Sequence, residues 1–355
     1  MRKVFIGILL MVVIACQKDL PIEYVAYDPT PFKLVMPAGR GWTQFPIPEE
    51  NPLTIAGVAL GKQLFEEKML SANNSQSCRT CHQPGYAFSD GGRQFSEGIN
   101  GQKGNRNAPA LFNLAWADLY NVTGHRYFWD GGKGSLEQQA VGPIINPIEM
   151  ASDIKQVVQK LQNTSHYPKL FKKAFGSDSI TISLIVKALA QFERTLISGN
   201  SPYDKAERRE RQRTLSEYNG MLIFSTEKGD CFHCHGNLSS PFFTDFNFHN
   251  NGLDENPQDS GLFRITGIEA DKGKFKTPSL RNLVFTAPYM HDGRFKTLWE
   301  VIEFYNSGFK NSPTLDPFIS KHIANGGLNL TPVEKIDLYN FLVSLSDTDF
   351  VFKNK

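Results

Sequence analysis

The pentapeptide C-x-x-C-H occurs twice in the chain, as Cys78-Arg79-Thr80-Cys81-His82 and as Cys231-Phe232-His233-Cys234-His235. Two thiols three residues apart beside an imidazole form the attachment pattern of c-type haem. The thiols add across the porphyrin vinyl groups, and the adjacent histidine becomes the proximal iron ligand. The two motifs use four of the five cysteines, which leaves no pair for a disulfide and sets the zinc and disulfide readings aside. We therefore expect two covalently bound haem c groups, held by Cys78, Cys81 and His82 and by Cys231, Cys234 and His235. His233 is a variable position inside the second motif.

The fifth cysteine has a different setting. Arg2 and Lys3 precede an apolar run from Val4 to Ala15, which is too short to span a bilayer and suits the apolar region of an export signal. The run ends V-I-A-C and resembles a bacterial lipoprotein cleavage box. That likeness implies a signal peptide over 1–15, a lipid anchor on Cys16 at the membrane, and export to the periplasm. Without Arg2 and Lys3 the formal charge of +2 falls to near neutral, so a nucleic-acid partner is not expected. The run Lys205 to Arg213 mixes signs and reads as a solvated helix or a linker.

Around the two motifs the chain repeats itself. Gly61-x-x-Leu64-Phe65 precedes the first motif and Gly220-x-x-Ile223-Phe224 the second. Downstream, A-P-A-L-F-N-L (Ala108 to Leu114) is echoed by T-P-S-L-R-N-L (Thr277 to Leu283). Y-F-W-D-G (Tyr127 to Gly131) is echoed by Y-M-H-D-G (Tyr289 to Gly293), with extra residues before the first frame, from Asp118 to His125. A repeat this long is a duplicated domain rather than a solenoid. The expected fold is mainly α, with two related cytochrome-c-like haem domains, long loops and little β. We place an N-terminal linker at 16–45, a first haem domain at 46–205 and a second at 206–355.

Helical periodicity joins Ile182, Ile185, Val186, Leu189 and Phe192. Thr331-Pro332-Val333-Glu334 is a capping box that opens a helix through Leu345. A further helix is expected over Thr297 to Ser307. Gln83 to Asn107 and Asn247 to Lys274 lack periodicity and read as loops around cofactors, the second being where short strands are expected.

These residues resemble the bacterial di-haem cytochrome c peroxidases and their MauG-like relatives. The resemblance runs from Asn51 to Leu345 and rests on both haem motifs, Q-K-G-N-R-N-A-P (Gln102 to Pro109), F-W-D-G, G-P-I-I-N-P-I-E-M (Gly142 to Met150) and T-P-S-L-R-N-L-V-F-T-A-P-Y-M-H-D-G. It implies a peroxidase that reduces hydrogen peroxide to water with electrons from an external donor such as cytochrome c. A MauG-like oxidase acting on a protein or organic substrate is the alternative. On this likeness the first haem reacts with peroxide, with Glu149 as acid–base residue and Gln139 as its distal partner. The second haem handles electrons, and Trp129 lies between the two. Asn107, Thr286 and Pro288 match the ligands of a calcium ion, whose preference is for oxygen donors. A homodimer is a further implication.

Two positions depart from the pattern. Family members that need reductive activation carry a histidine in the loop after the first motif, but Gln83 to Asn107 has none and Ile99 falls near its place. A first haem open to peroxide in the fully oxidised protein is the expectation, with His125 a non-ligand. Where cytochrome-oxidising members place a methionine ligand for the second haem, this chain has Tyr305, as MauG-like proteins do. Met290 is the competing ligand. Tyrosinate would stabilise ferric iron, whereas a thioether would raise the potential.

Overall fold

The computed structural model describes residues 25–354. The expected export signal over 1–15 and the anchor residue Cys16 lie outside the described residues. The fold is mostly helical. Its principal elements are α1 (Ile55–Glu66), α2 (Cys78–Cys81), α3 (Leu136–Ile145), α4 (Ile182–Glu193), α5 (Leu215–Phe224), α6 (Phe232–His235), α7 (Leu298–Glu303), α8 (Pro332–Ser344) and α9 (Thr348–Lys353). Among the described residues there is one sheet, of two short antiparallel strands, β1 (Phe248–His249) and β2 (Phe275–Lys276). β1 falls inside the loop where strands were expected, and β2 starts just beyond it.

The repeated lead-in to each haem motif is a helix-crossing device. α1 packs on α4, and a Cβ on Gly61 would stand 1.9 Å from the Ala188 carbonyl oxygen. α5 packs on α8 in the same way, where a Cβ on Gly220 would stand 2.0 Å from the Asp337 carbonyl oxygen. Each glycine thus lets two helix backbones approach within the reach of a missing side chain. The Leu-Phe or Ile-Phe pair that follows faces inward: Leu64, Phe65, Ile223 and Phe224 are all buried.

The periodic residues of α4 form its inner face, since Ile185, Val186, Leu189 and Phe192 are buried, and Thr181 caps its first turn. α8 opens on the expected box, with Thr331 N donating to Glu334 Oε2 at 2.8 Å and Glu334 N donating to Thr331 Oγ1 at 3.3 Å. The helix expected over Thr297 to Ser307 differs. α7 ends at Glu303 and continues as a π-helical turn over Phe304–Gly308. The wider turn presents Asn306 to the 327–330 loop. Its Oδ1 accepts from Leu330 N at 2.7 Å, and its carbonyl lies so close to Gly327 that no side chain would fit there.

The second repeated segment knits the halves together. Asn113 and Asn282 both take left-handed backbone conformations, with φ 55° and 61°. Asn113 Nδ2 donates to Ser198 O, and Asn282 Nδ2 donates to Ser198 Oγ at 3.0 Å. Asp347 completes this buried hub by accepting from Ser198 Oγ. Apolar packing also crosses between the halves. Phe350 of α9, at the far end of the chain, packs on Phe88 and Phe112 of the first half. Residues 25–45, expected as a linker, are packed as well: Phe45 is buried against Trp116, and Trp42 meets Trp116 edge-on at 5.4 Å. The Lys205–Arg213 run pairs largely with nearby acids, including Arg208 with Glu210 and Lys205 with Asp349.

Candidate functional site

Both C-x-x-C-H motifs form a single helical turn that ends at the histidine, α2 in the first half and α6 in the second. His82 Nδ1 lies 3.0 Å from Phe88 O, and His235 Nδ1 lies 3.2 Å from Phe243 O. A carbonyl can only accept, so each Nδ1 carries the proton and each Nε2 keeps its lone pair for a metal. The carbonyls come from residues in the same left-handed conformation, Phe88 at φ 61° and Phe243 at φ 50°. Burial holds both imidazoles below their ordinary pKa, His235 at about 4, which favours the neutral ligand form. None of the four motif cysteines is in a disulfide, and burial pushes the Cys78 thiol up to about 12 and the Cys81 thiol to about 11.

A largely apolar cavity of about 320 Å³ runs between the halves. Cys231, Cys234 and His235 line it on the second-half side, together with Tyr305 and Met290. Trp129 and Gln139 line it from the first half. The two thiols and one Nε2 of the second motif, beside apolar walls with few polar groups, fit a haem; Cys78, Cys81 and His82 offer the same donor set but do not line this cavity.

The duplicated Y-x-x-D-G frames fold into the same turn. Each is closed by an antiparallel bridge, Tyr127 to Lys133 and Tyr289 to Phe295. Phe128 and Met290 are both left-handed, at φ 64° and 72°. Asp130 Oδ1 accepts from Gly132 N, and Asp292 Oδ1 accepts from Arg294 N. The shared backbone delivers different side chains: Trp129 Nε1 donates to Asn107 O at 2.8 Å, whereas His291 stacks on Phe275 at 3.6 Å between ring centroids.

Glu149 lies apart from that cavity, within electrostatic range of Cys81 of the first motif. Asn146 Nδ2 donates to its Oε1 at 2.6 Å, and burial raises its carboxyl pKa against that hydrogen bond. Ile99 N donates to Glu149 O at 2.9 Å, so the loop after the first motif is seated on the Glu149 backbone. No side chain fits at Gly98 beneath this contact, where a Cβ would stand 2.2 Å from Ile148 O.

On the second-half side, Tyr305 and Met290 share one partner. Asn251 Nδ2 lies 3.1 Å from Tyr305 Oη and 3.6 Å from Met290 Sδ. Burial pushes the Tyr305 phenol well above its ordinary pKa, while the Asn251 hydrogen bond opposes the shift.

The model of the di-haem cytochrome c peroxidase family matches residues 55–212. The methylamine utilization protein MauG of Methylophilus methylotrophus is 36% identical over 302 residues, covering 84% of this chain and 85% of its own. The chain belongs to the di-haem cytochrome c peroxidase and MauG family. The cytochrome c551 peroxidase of Nitrosomonas europaea is also 36% identical, over 265 residues, covering 73% of this chain and 75% of its own. Among solved structures, a MauG-like protein associated with microbial copper homeostasis superposes with a TM-score of 0.78 at 34% identity. That superposition covers 87% of this chain and 94% of the other. The chain is thus a haem peroxidase-type oxidoreductase of a two-haem family.

Asn107, Thr286 and Pro288 all line the cavity. Asn107 Nδ2 donates to Arg93 O and Gln94 O at 3.1 Å each, so its Oδ1 is the atom suited to a hard cation. His125 belongs to the loop before the first frame, where its backbone N donates to Thr123 Oγ1.

Three polar groups of the site were missed in the sequence. Asn251 sits in a loop without periodicity or motif spacing to single it out, and Arg106, though inside Q-K-G-N-R-N-A-P, has no spacing that names its partners. The third is His249, held between Asp316 Oδ2 at 2.5 Å and Asp245 Oδ2 at 2.8 Å. Against burial, these two carboxylates push its imidazole up to about 12. The pairing of Asp245 with His249 at i, i+4 is visible in sequence, but Asp316 is brought in only by the fold.

Proposed function

We propose that this chain is a di-haem peroxidase that reduces hydrogen peroxide to two waters, taking up two protons and two electrons. The electrons come from a small cytochrome c-type donor. The two halves, 46–205 and 206–355, act as related haem domains with the peroxide handled in the first. Cys78, Cys81 and His82 would hold one haem covalently, and Cys231, Cys234 and His235 the other. Bound haem supplies iron able to bind an oxygen atom and to exchange electrons.

The observation that carries this reading is the setting of Glu149. Splitting HO–OH requires a proton to leave the near oxygen and reach the departing one. Glu149 is half-buried within electrostatic range of Cys81, with Oε1 held by Asn146, which leaves Oε2 to take up and return that proton. Its raised pKa brings the carboxyl closer to the working pH of a proton shuttle. On the family likeness the Gln139 amide would stabilise charge that develops on the oxygens, although it lines the cavity from which Glu149 stands apart. Ile99 has no ligating atom, and its N–H already holds Glu149 O. That arrangement supports a first haem open to peroxide without prior reduction.

Trp129 carries electrons between the halves from its place on the cavity wall. Asn107 Oδ1 and the carbonyl oxygens of Thr286 and Pro288 would hold calcium, an oxygen-only set suited to that ion. Tyr305 would hold the second haem iron through its phenol oxygen, to which Asn251 donates at 3.1 Å. A phenolate there lowers the potential, and this one feature favours a second reading, a MauG-like oxidase acting on a protein or organic substrate.

Stopped-flow addition of hydrogen peroxide to the oxidised holoprotein, followed by reduced cytochrome c, tests the proposal. Fast oxidation of the cytochrome supports the peroxidase. A long-lived oxidised state that ignores the cytochrome supports the oxidase, and no reaction with peroxide rejects both.

A further inference from the structure

Arg106 sits between the halves with each of its three guanidinium nitrogens bonded to one of two acids. Nη1 donates to Asp130 Oδ2 at 2.6 Å. Nε and Nη2 donate to Asp259 Oδ2 and Oδ1 at 2.6 and 2.8 Å, a bidentate pair. The three side chains are 16%, 10% and 10% exposed, so water screens these ion pairs weakly. The guanidinium also lies 5.7 Å from the ring centre of Phe275, which stacks on His291.

Each acid belongs to a different half. Asp130 closes the turn that carries Trp129, and its other oxygen accepts from Gly132 N. Asp259 lies in the second-half loop before β2, where its Oδ1 also accepts from Gly261 N at 3.0 Å. Beside Arg106, Asn107 O accepts from Trp129 Nε1. Two consecutive residues thus grip two consecutive residues, Asn107 on Trp129 and Arg106 on Asp130. Backbone bonds also reach the second half, from Asn107 N to His291 O at 2.7 Å and from Lys276 N to Trp129 O at 2.9 Å, and Arg106 adds the charged side-chain bridge to Asp259.

We propose that Arg106 is a positioning residue for electron transfer between the halves: by bridging Asp130 and Asp259 it fixes the Trp129 indole against the second half. The inference rests on the reading of Trp129 as the electron route. Arginine suits the task because one planar fork satisfies both carboxylates, which a lysine ammonium cannot do with the same geometry. Without it, two largely buried carboxylates face each other unpaired and drive the turn and the loop apart.

The test compares Arg106→Gln, Arg106→Lys, Asp259→Asn and Trp129→Phe in the holoprotein. Electron exchange between the haems is followed optically after flash reduction, and crystal structures of the variants report the Trp129 ring. We expect Arg106→Gln and Asp259→Asn to slow the exchange about tenfold or more, as a misplacement near 1 Å can. The Trp129 Nε1–Asn107 O contact should lengthen beyond hydrogen-bond distance, Arg106→Lys should fall between, and the reaction of the first haem with peroxide should stay within about twofold. Wild-type exchange in Arg106→Gln, with slow exchange in Trp129→Phe, overturns the proposal and leaves the electron route standing. Wild-type exchange in Trp129→Phe overturns the route itself, and the proposal with it. Equal slowing of exchange and peroxide reaction, with the Trp129 ring unmoved, also overturns it.

Discussion

Trp129 and His291, the same position in the two copies of one turn, are tied to a single residue. Asn107 O accepts from Trp129 Nε1 at 2.8 Å, and Asn107 N donates to His291 O at 2.7 Å. The duplication therefore does more than provide two sites for haem. It supplies two matching turns, one presenting an indole and the other a backbone carbonyl, which converge where the halves meet. Four consequences can be measured.

Replacing Gly61 or Gly220 by alanine should destabilise the protein by about 1–3 kcal/mol. Alanine in a helix interior is ordinarily stabilising relative to glycine, so the sign is diagnostic. It follows from the carbonyl oxygens 1.9 and 2.0 Å from the added Cβ positions. Urea denaturation of each variant holoprotein checks it, and a gain in stability would mean that the helix crossings are looser than described.

Glu149→Gln should slow the peroxide reaction about 10²- to 10⁴-fold, the usual contribution of a positioned acid–base group. The wild-type rate should fall as pH drops through a value above the usual carboxylate pKa of about 4.3, because burial raises the Glu149 pKa and the ionised form is the one that accepts a proton. Stopped-flow rates from acid to neutral pH measure both effects. An acid limb that persists in the Gln variant assigns the titration to another group.

Glu193 offers a stability test. It is buried at the end of α4, and Arg194 turns instead to Glu137, with Nη1 to Oε1 at 2.7 Å. Burial pushes the Glu193 carboxyl up to about 8, with Arg194 opposing. A raised folded pKa means that the native state keeps a proton the unfolded chain has already lost. Its contribution is complete below the unfolded value of about 4.3 and is lost as pH rises through 8. Glu193→Gln should remove this dependence, so the variant gains on the wild type between pH 5 and 8 in denaturant titrations. Parallel stability curves for the two proteins would reject it.

Tyr305→Phe should change the oxidised spectrum of the second haem and raise its midpoint potential, because loss of a phenolate ligand removes the preference for ferric iron. Met290→Leu should leave both nearly unaltered. The reverse pattern, with a sulfur-to-iron charge-transfer band that disappears in Met290→Leu, would give the ligand to Met290. The common contact with Asn251 makes a third variant useful: Asn251→Ala should shift the potential through whichever atom binds.

The two-haem character was legible in the sequence because the pattern that points to it is contiguous. The two C-x-x-C-H motifs and the duplicated frames around them follow from local chemistry, and so do the amphipathic face of α4 and the Thr331–Glu334 box. Each depends on neighbours within one or two turns, which is the range that periodicity and spacing can report. Glu149 was legible only through the motif around it. Its hold on Ile99 and its nearness to Cys81 join segments distant in sequence. Tertiary structure alone decided that Gly61 and Gly220 are crossing points, that Asn113 and Asn282 meet on Ser198, and that α9 returns to the first core. It also converted the end of the expected 297–307 helix into a π turn around Tyr305, and it set Arg106 between Asp130 and Asp259. These features need partners far away in the chain, and close packing and the pairing of buried charge select such partners only once the backbone has brought them together.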